Sequence, residues 1–350
     1  MPTEHTDVHL AIIGGSGLYN LEGLQVVDEV YPQTPWGYPA DKILIGRLSA
    51  VGPKVAFLAR HGRRHQFSPS EVPNRANIAA LKHLGVQAVI AFSAVGSLRE
   101  DIRPGDFVLP DQIVDRTKGV RDHTFFEGGV LAHASFADPF HPPLADLIAQ
   151  DAAPCLTNPT ILRTAATSTA GAVGEGAAAA NEKQQATEAV AKEAVEPPRL
   201  HRGKTVVTIE GPAFSTRAES HLYRAWNCDV VNMTAVPEAK LAREAEMAYQ
   251  MVCMSTDYDC WREGDEGVSV SAVMAVMQRN ALHAQAMILA ILHAFEANPT
   301  IAHQRLREAT VAARGSMANA IMTPPDHRDP EVTQRLHYIL PDYFPLPASP

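Results

Sequence analysis

Short apolar runs recur along the chain, and most of them are followed directly by small or polar residues. The runs Val8–Ile13, Val55–Ala59 and Val86–Phe92 have the length and β-branched content of buried strands. The same pattern predicts strands at Asp106–Pro110, Thr205–Ile209, Asp229–Asn232 and Met251–Met254. Helical spacing of apolar residues separates several of them. The pattern indicates an α/β protein, which we interpret as a single domain over residues 1–350.

The helices are marked by their ends as well as by their apolar spacing. Pro73 opens a helix that Gly85 closes, and Thr216 and Glu219 form a capping box for a helix through Trp226. A long helix follows with its apolar residues on one stripe, beginning at Val270. These helices are expected to cover the sheet.

Two segments depart from this organisation. Ala, Glu, Gly and Thr make up most of residues 157–198, which leaves little to bury, so we expect a disordered or loosely helical insertion. A helix over Ala177–Ala194 is the alternative, because its propensity is high. Residues 298–350 are mixed in character and predict an irregular C-terminal extension.

Three of the predicted strands end in segments suited to an anion. The first continues into Gly14–Gly17, which contains Ser16 but lacks the third glycine of a dinucleotide site. The second is followed by Arg60 and His61, and the third by Ser93–Ser97. Each segment alone has an ordinary explanation as a turn or a surface pair. In a parallel sheet, however, the carboxyl ends of strands share one edge, so we predict a phosphate site there.

Composition excludes several classes of function. A net charge of −9 without a basic stripe argues against nucleic-acid binding, and no apolar run approaches the ~20 residues of a membrane span. The acidic start of the chain is unlike a signal peptide. The four cysteines show no zinc spacing, so reduced thiols and no metal site are expected. We predict a cytoplasmic protein that also occurs in the nucleus.

Asp257 and Asp259 follow the predicted strand Met251–Met254. Carboxylates at a strand end lie where open α/β sheets bind ligands, and burial would let one of them hold a proton near neutral pH. A turn rich in Asp is the ordinary alternative. An acid in this position could protonate a ring nitrogen of a leaving base.

Three other residues are candidates with equally plausible structural roles. Phe214 lies in a predicted loop, where an exposed ring could stack on a planar base. Met233 could lie against a sugar or belong to the core. His133 lies in an irregular segment, Gly119–Phe140, where a histidine is usually a surface residue.

The chain resembles the trimeric branch of the purine nucleoside phosphorylase family, and within it the methylthioadenosine phosphorylases. The matching stretches are IIGGSGL (12–18), LARHG (58–62), FSAVGSLRE (92–100), VVTIEGPAFSTRAES (206–220), VVNMTAVPEAKLAREA (230–245) and STDYDCW (255–261). They span nearly the whole chain outside the insertion and the tail. The resemblance implies a central twisted mixed sheet flanked by helices, and a homotrimer with sites at subunit interfaces.

The resemblance also implies an activity, which is phosphorolysis of 5'-methylthioadenosine to adenine and 5-methylthioribose 1-phosphate in purine and methionine salvage. Phosphate would be a co-substrate, and no cofactor or metal would be needed. By the family pattern, phosphate would be surrounded by Ser16, Arg60, His61, Ser93, Ala94 and Thr234. Relatives often carry threonine in place of Ser16 and Ser93, which keeps the hydroxyl, and cysteine in place of Val95.

The implied base pocket distinguishes adenine from 6-oxopurines. Phe214 would stack on adenine, Met233 would lie beside the ribose, Asp257 would protonate N7 and Asp259 would accept the exocyclic amine. Relatives that act on 6-oxopurines carry glutamate in place of Ser215 and asparagine in place of Asp257, because an oxo group needs a donor.

The remaining implied contacts lie around the 5' group and at the subunit interface. Val270, Val273 and Met274 would form an apolar pocket for the methylthio group. His133, with Ile339 or Leu340, would reach into a neighbouring subunit's site.

Three rival functions are weaker. A phosphorylase for inosine or guanosine is disfavoured by Ser215 and Asp257, and a hydrolytic nucleosidase by Arg60 and His61. A non-catalytic nucleoside-binding protein would have little use for intact residues at every chemical position.

Overall fold

The computed structural model describes residues 7–15, 18, 21–50, 52–157, 196–262 and 270–346. The predicted phosphate ligand Ser16 lies outside the described residues, as does nearly all of the low-complexity insertion, residues 158–195. Val270 is described as a helical residue, but its side chain is not.

Nine strands of the described chain form one sheet. They are β1 (Leu10–Gly14), β2 (Gln25–Val30), β3 (Ile43–Arg47), β4 (Val55–Ala59), β5 (Ala88–Ser97), β6 (Phe107–Arg116), β7 (Leu200–Ile209), β8 (Val230–Asn232) and β9 (Ala248–Asp257). Their order is β2-β3-β4-β1-β5-β8-β7-β6-β9, and β9 also pairs with β5. The last five strands of this order therefore close into a ring. Because parallel and antiparallel pairs both occur, the predicted mixed α/β sheet is confirmed.

The centre of the sheet is parallel, and this orientation creates the edge on which the site depends. β1 pairs in parallel with β4 and β5, and β5 pairs in parallel with β9. β1 and β4 are buried along their whole length, as continuous apolar strands between two helical layers should be. Gly14 pairs with Ala59, the residue before Arg60. The carboxyl ends of these strands therefore lie side by side.

Helices cover both faces of the sheet. They are α1 (Asn74–His83), α2 (Pro142–Asp151), α3 (Arg217–Ala225), α4 (Ala235–Glu244), α5 (Val270–Ala297), α6 (Pro299–Thr310) and α7 (Pro330–His337). One apolar core contains side chains of α1, α4 and α7, and a second contains side chains of α2, α5 and α6. Within the described ranges, no helix combines the length and the apolarity that crossing a bilayer would need.

Local signals predicted several helix ends correctly. Pro73 precedes α1, and Gly85 follows it with a φ of +90°, a conformation that glycine adopts without strain. The capping box of Thr216 and Glu219 is present in full at the start of α3. These ends need only local hydrogen bonds, which is why sequence alone finds them.

Strand ends differ from the prediction where tertiary pairing extends them. β5 continues through Ser93–Ser97, predicted as a loop, because it pairs with β9 as far as Gly96. β9 likewise continues through Ser255 to Asp257. The tail predicted to be irregular contains α6 and α7. Each helix begins at a proline that directly follows its N-cap residue, Asn298 or Asp329.

The predicted irregular segment Gly119–Phe140 lies within residues 117–141, between β6 and α2, and two side chains hold it against the sheet. Arg121 donates from Nε to Glu210 Oε1 at 2.8 Å and from Nη1 to the Met233 carbonyl at 2.7 Å. Glu244 accepts hydrogen bonds from the hydroxyl of Thr124 and the backbone N–H of Phe125, each at 2.7 Å. Burial raises the pKa of Glu244 to about 7.

Candidate active site

Arg60 is a buried residue at the sheet edge where the phosphate site is predicted. It follows β4, is 3% exposed, and its backbone N–H donates to the Gly14 carbonyl at 2.9 Å. Its Nε and Nη2 donate to the two oxygens of Glu238 at 2.8 and 2.9 Å, and Nη1 donates to the Phe92 carbonyl at 2.9 Å. Burial disfavours the charge, but Glu238 outweighs it and the pKa of Arg60 is raised. Arg60 therefore contacts β1 through its backbone, and its guanidinium contacts β5 and Glu238.

His61 differs from its expected role as a hydrogen-bond donor to phosphate. Its Nδ1 lies 2.8 Å from the Phe67 carbonyl, and its ring stacks on His65 with centroids 4.6 Å apart. Burial, assisted by the charge of Arg60, lowers the pKa of His61 to about 4. The neutral ring must donate from Nδ1, because a carbonyl only accepts. Its Nε2 is then an acceptor, suited to a phosphate O–H.

Ser93, Ala94 and Thr234 meet beside Arg60. The hydroxyl oxygens of Ser93 and Thr234 lie 2.8 Å apart, although one residue is in β5 and the other immediately precedes α4. Ser93 directly follows Phe92, whose carbonyl accepts the Arg60 hydrogen bond. The described members of the predicted phosphate set therefore occupy one edge of the sheet.

Asp257 ends β9 with both carboxylate oxygens engaged. Its Oδ1 accepts the backbone N–H of Asp259 at 2.7 Å, and its Oδ2 accepts the hydroxyl of Thr256 at 2.6 Å. β9 pairs Asp257 with Gly96 of β5, three residues beyond Ser93. Burial raises the pKa of Asp257, although both hydrogen bonds favour the charged form. Asp257 is thus held in place and biased toward keeping its proton.

Asp259 presents a buried carboxylate oxygen with no hydrogen-bond partner among the described residues. The residue is 6% exposed and its backbone has a φ of +51°, which is rare for a residue other than glycine. Burial raises the pKa of Asp259, and the neighbouring Asp257 raises it further. A buried acceptor of this kind needs a donor, and a ligand can supply one.

Gly96 has no side chain, and the Asp257 carboxylate lies where a side chain at this position would be. A Cβ atom at Gly96 would lie 3.0 Å from Asp257 Oδ1 and 3.1 Å from Val231 Cγ1, which is closer than such contacts normally allow. The backbone of Gly96 has no positive φ, so the requirement for glycine at this position is steric.

We expect Gly96→Ala to lower kcat about 10- to 10²-fold by displacing Asp257, with little change in the KM for phosphate. Gly46→Ala in β3 is a matched control, because its Cβ would also press on a neighbour, the side chain of Leu24 at 2.9 Å, but away from this edge. Steady-state kinetics of both variants would check this. Equal effects in the two variants would contradict it.

The predicted base-pocket residues meet at the segment 211–215 after β7, which one hydrogen bond joins to Cys260. Phe214 is 46% exposed in the segment after β7, and the carbonyl of Ser215 accepts the thiol of Cys260 at 3.2 Å. Met233 lies against Gly211, where a Cβ would be 2.5 Å from the methionine Sδ. Gly211 therefore permits the close approach of Met233 to this segment.

The other predicted residues, those of the 5' pocket and of the subunit interface, lie near the start of α5 and on the segment before α2. Val273 and Met274 lie near the start of α5, with Met274 53% exposed, and Asn280 fastens the helix to the Ser255 carbonyl at 2.8 Å. His133 is exposed, and its backbone N–H donates to the Ala320 carbonyl at 2.8 Å.

The prediction that Ile339 or Leu340 reaches a neighbouring site is wrong. These residues are only 1% and 3% exposed, and both belong to the apolar core of their own chain. They pack with α7, which the sequence pattern did not predict.

Sequence reasoning missed four residues that shape this edge. They are Gly96, Glu238, Tyr249 and Thr256. Tyr249 donates its hydroxyl to Glu238 Oε1 at 2.7 Å, so a buried chain runs from Tyr249 through Glu238 to Arg60. None of the four lies inside an apolar element that the sequence pattern predicts. The partners of Glu238 and Gly96, which are Arg60 and Asp257, are too distant in sequence to be inferred.

Residues 9–293 match the model of the phosphorylase superfamily, and the chain belongs to that superfamily. The S-methyl-5'-thioadenosine phosphorylase of Neurospora crassa is 45% identical over 350 residues, which cover 98% of each chain. That of Schizosaccharomyces pombe is 46% identical over 336 residues, which cover 95% of each. Within the superfamily, the chain is therefore a member of the S-methyl-5'-thioadenosine phosphorylase family.

Solved structures agree with this assignment. A methylthioadenosine phosphorylase from an Antarctic soil metagenomic library superimposes with a TM-score of 0.74 at 38% identity, covering 96% of this chain and 100% of the other. A variant of the Schistosoma mansoni adenosine/methylthioadenosine phosphorylase, in complex with methylthioadenosine, gives 0.65 at 31% identity, covering 89% and 99%.

Proposed function

We propose that the protein cleaves S-methyl-5'-thioadenosine with inorganic phosphate, giving adenine and 5-methylthio-α-D-ribose 1-phosphate in purine and methionine salvage. One observation carries this proposal. The carboxyl pair of the half-buried Asp257 and the buried Asp259 lies on the same sheet edge as Arg60, Ser93 and Thr234, in a chain of this family. Phosphorolysis needs an acid that protonates the leaving purine and an anion site that holds the attacking phosphate.

Phosphate is held at the ends of β1, β4 and β5. The remaining N–H groups of Arg60 and the hydroxyls of Ser93 and Thr234 donate to its oxygens, with Ala94 beside them and Ser16 completing the set. The Nε2 of the neutral His61 ring accepts a hydrogen bond from a phosphate O–H. No cofactor or metal is required in this scheme, because phosphate itself is the nucleophile.

Bond cleavage is assisted from the base side. The bond between C1' and N9 breaks and its electron pair moves into the purine, while Asp257 transfers its proton to N7 so that neutral adenine leaves. A phosphate oxygen then bonds to C1', whose positive charge the phosphate dianion stabilises in the transition state. The unpartnered oxygen of Asp259 accepts the exocyclic amine.

Specificity follows from the groups around the substrate. Phe214 stacks on the adenine, Met233 lies beside the ribose, and Val270, Val273 and Met274 enclose the methylthio group. Asp257 stands where an asparagine would donate to the oxo group of a 6-oxopurine, and Ser215 stands where those relatives carry glutamate, so inosine lacks the donor that it needs.

We also propose a homotrimer in which the exposed His133 reaches a neighbouring subunit's site, located in the cytoplasm and the nucleus. The exposed position of His133 within residues 117–141 supports this arrangement, because it leaves the side chain accessible to a partner.

Identification of the sugar product tests the proposal. Incubation with methylthioadenosine and phosphate should give one new phosphorus resonance, that of a sugar 1-phosphate, in amounts equal to the adenine released. Inosine should give no such resonance. Free methylthioribose as the product, or faster turnover of inosine, would overturn the proposal.

A further inference from the structure

Arg60 is held by a buried carboxylate that belongs to none of the predicted binding groups. The side chains of Arg60 and Glu238 are 4% and 1% exposed, and two hydrogen bonds of 2.8 and 2.9 Å join them. Burying such a pair costs solvation that its attraction does not always repay, and apolar residues of similar size often serve stability as well. Stability alone is therefore a weak reason for this pair.

The geometry of the pair leaves a defined part of Arg60 for a ligand. Arginine has five N–H groups in a planar fork. Within the described part of the chain, Glu238 takes the Nε–H and one N–H of Nη2, and the Phe92 carbonyl takes one N–H of Nη1. One N–H on Nη1 and one on Nη2 remain, and both can donate to the oxygens of a phosphate or carboxylate.

Glu238 is itself fixed from a second direction. Its Oε1 accepts the hydroxyl of Tyr249, which is 1% exposed and lies in β9, the strand that ends at Asp257. Glu238 lies in α4, whose N-terminal neighbour Thr234 contacts Ser93. Tyr249, Glu238 and Arg60 thus form a chain of hydrogen bonds that links β9, α4 and the segment after β4.

We infer that Glu238, held by Tyr249, is a positioning residue that orients the free N–H pair of Arg60 toward phosphate. The inference rests on the proposed function, because it assigns phosphate as the ligand. It adds two residues that need not touch the substrate. Losing either should weaken the use of phosphate and leave the nucleoside half of the site unchanged.

Two variants test the inference, one at Glu238 and one at Tyr249, the residue that holds it. We expect Glu238→Gln, which presents an amide to the Arg60 donors, to raise the KM for phosphate about 10²-fold and the KM for methylthioadenosine less than about threefold. Tyr249→Phe removes a single hydrogen bond and should raise the KM for phosphate about three- to tenfold. Asp151→Asn is the matched control, because it removes the charge of a carboxylate that accepts from Arg305 Nη1 with both oxygens, between α2 and α6.

Thermal unfolding separates positioning from a general loss of structure. Inorganic phosphate should raise the Tm of the wild type and of Asp151→Asn but not that of Glu238→Gln, whereas adenine should raise the Tm of all three. An unchanged KM and Tm response to phosphate in Glu238→Gln would overturn the inference. If that variant does not fold, an unchanged KM in Tyr249→Phe overturns it instead. A wild type that turns over without phosphate would refute the proposed function, while the Tm responses would still decide the inference.

Discussion

Asp257→Asn is expected to lower the turnover of methylthioadenosine by about 10²- to 10⁴-fold, which is the usual contribution of a general acid. Asparagine has the same shape and can still accept a hydrogen bond from Thr256 or from the backbone of Asp259, so the turn should persist. It cannot transfer a proton to N7. Measurements of kcat, with the exposed Asp326→Asn as a control, would check this expectation.

The pH dependence gives Asp257→Asn a second readout. Burial raises the pKa of Asp257, so its protonated form persists to higher pH than that of an ordinary aspartate, and kcat should fall as pH rises through that pKa. The variant should lack this alkaline limb. Because the folded pKa lies above the unfolded one, the carboxyl contributes stability at low pH that is lost as pH rises. The variant should therefore gain relative stability with rising pH. Wild-type kcat in the variant would refute the role of Asp257.

Arg60→Met is expected to abolish phosphate saturation and to lower the free energy of unfolding by about 3–5 kcal/mol. The substitution leaves the Glu238 carboxylate buried, with the hydroxyl of Tyr249 as its one remaining partner among the contacts described above. An uncompensated buried charge accounts for most of the expected loss. Urea unfolding monitored by fluorescence would measure it.

The double variant Arg60→Met/Glu238→Met separates these two effects. Removing both charges should restore much of the lost stability, since an apolar pair of similar volume avoids the desolvation cost. It should not restore the response to phosphate. Additive losses of stability in the double variant would contradict this interpretation of the pair.

The sequence predicted the parts of the fold that depend on local pattern. β4 has the predicted bounds, because a short apolar run that ends at a charged residue leaves little choice. The convergence of Arg60 and Ser93 also follows from pattern, since parallel strands place their carboxyl ends together. Ser16 lies outside the described residues, so its place in the phosphate set stays a prediction.

Other features depend on partners that are distant in sequence. Ser93–Ser97 have a loop-like composition, and only the pairing of β5 with β9 makes them a strand. Glu238 is 178 residues from Arg60, so nothing in the local pattern of either residue indicates their contact. Ile339 and Leu340 gave no local sign that they belong to the core. The residues proposed to contact phosphate could thus be predicted from the sequence, but the residues that hold them in place could not.

The most direct test of the central claim is the rate of adenine release from methylthioadenosine with and without added phosphate. The sheet edge of Arg60, Ser93 and Thr234 predicts release that saturates with phosphate and falls to a trace when phosphate is removed. Release at the same rate in its absence would mean that water is the nucleophile, and would contradict the claim.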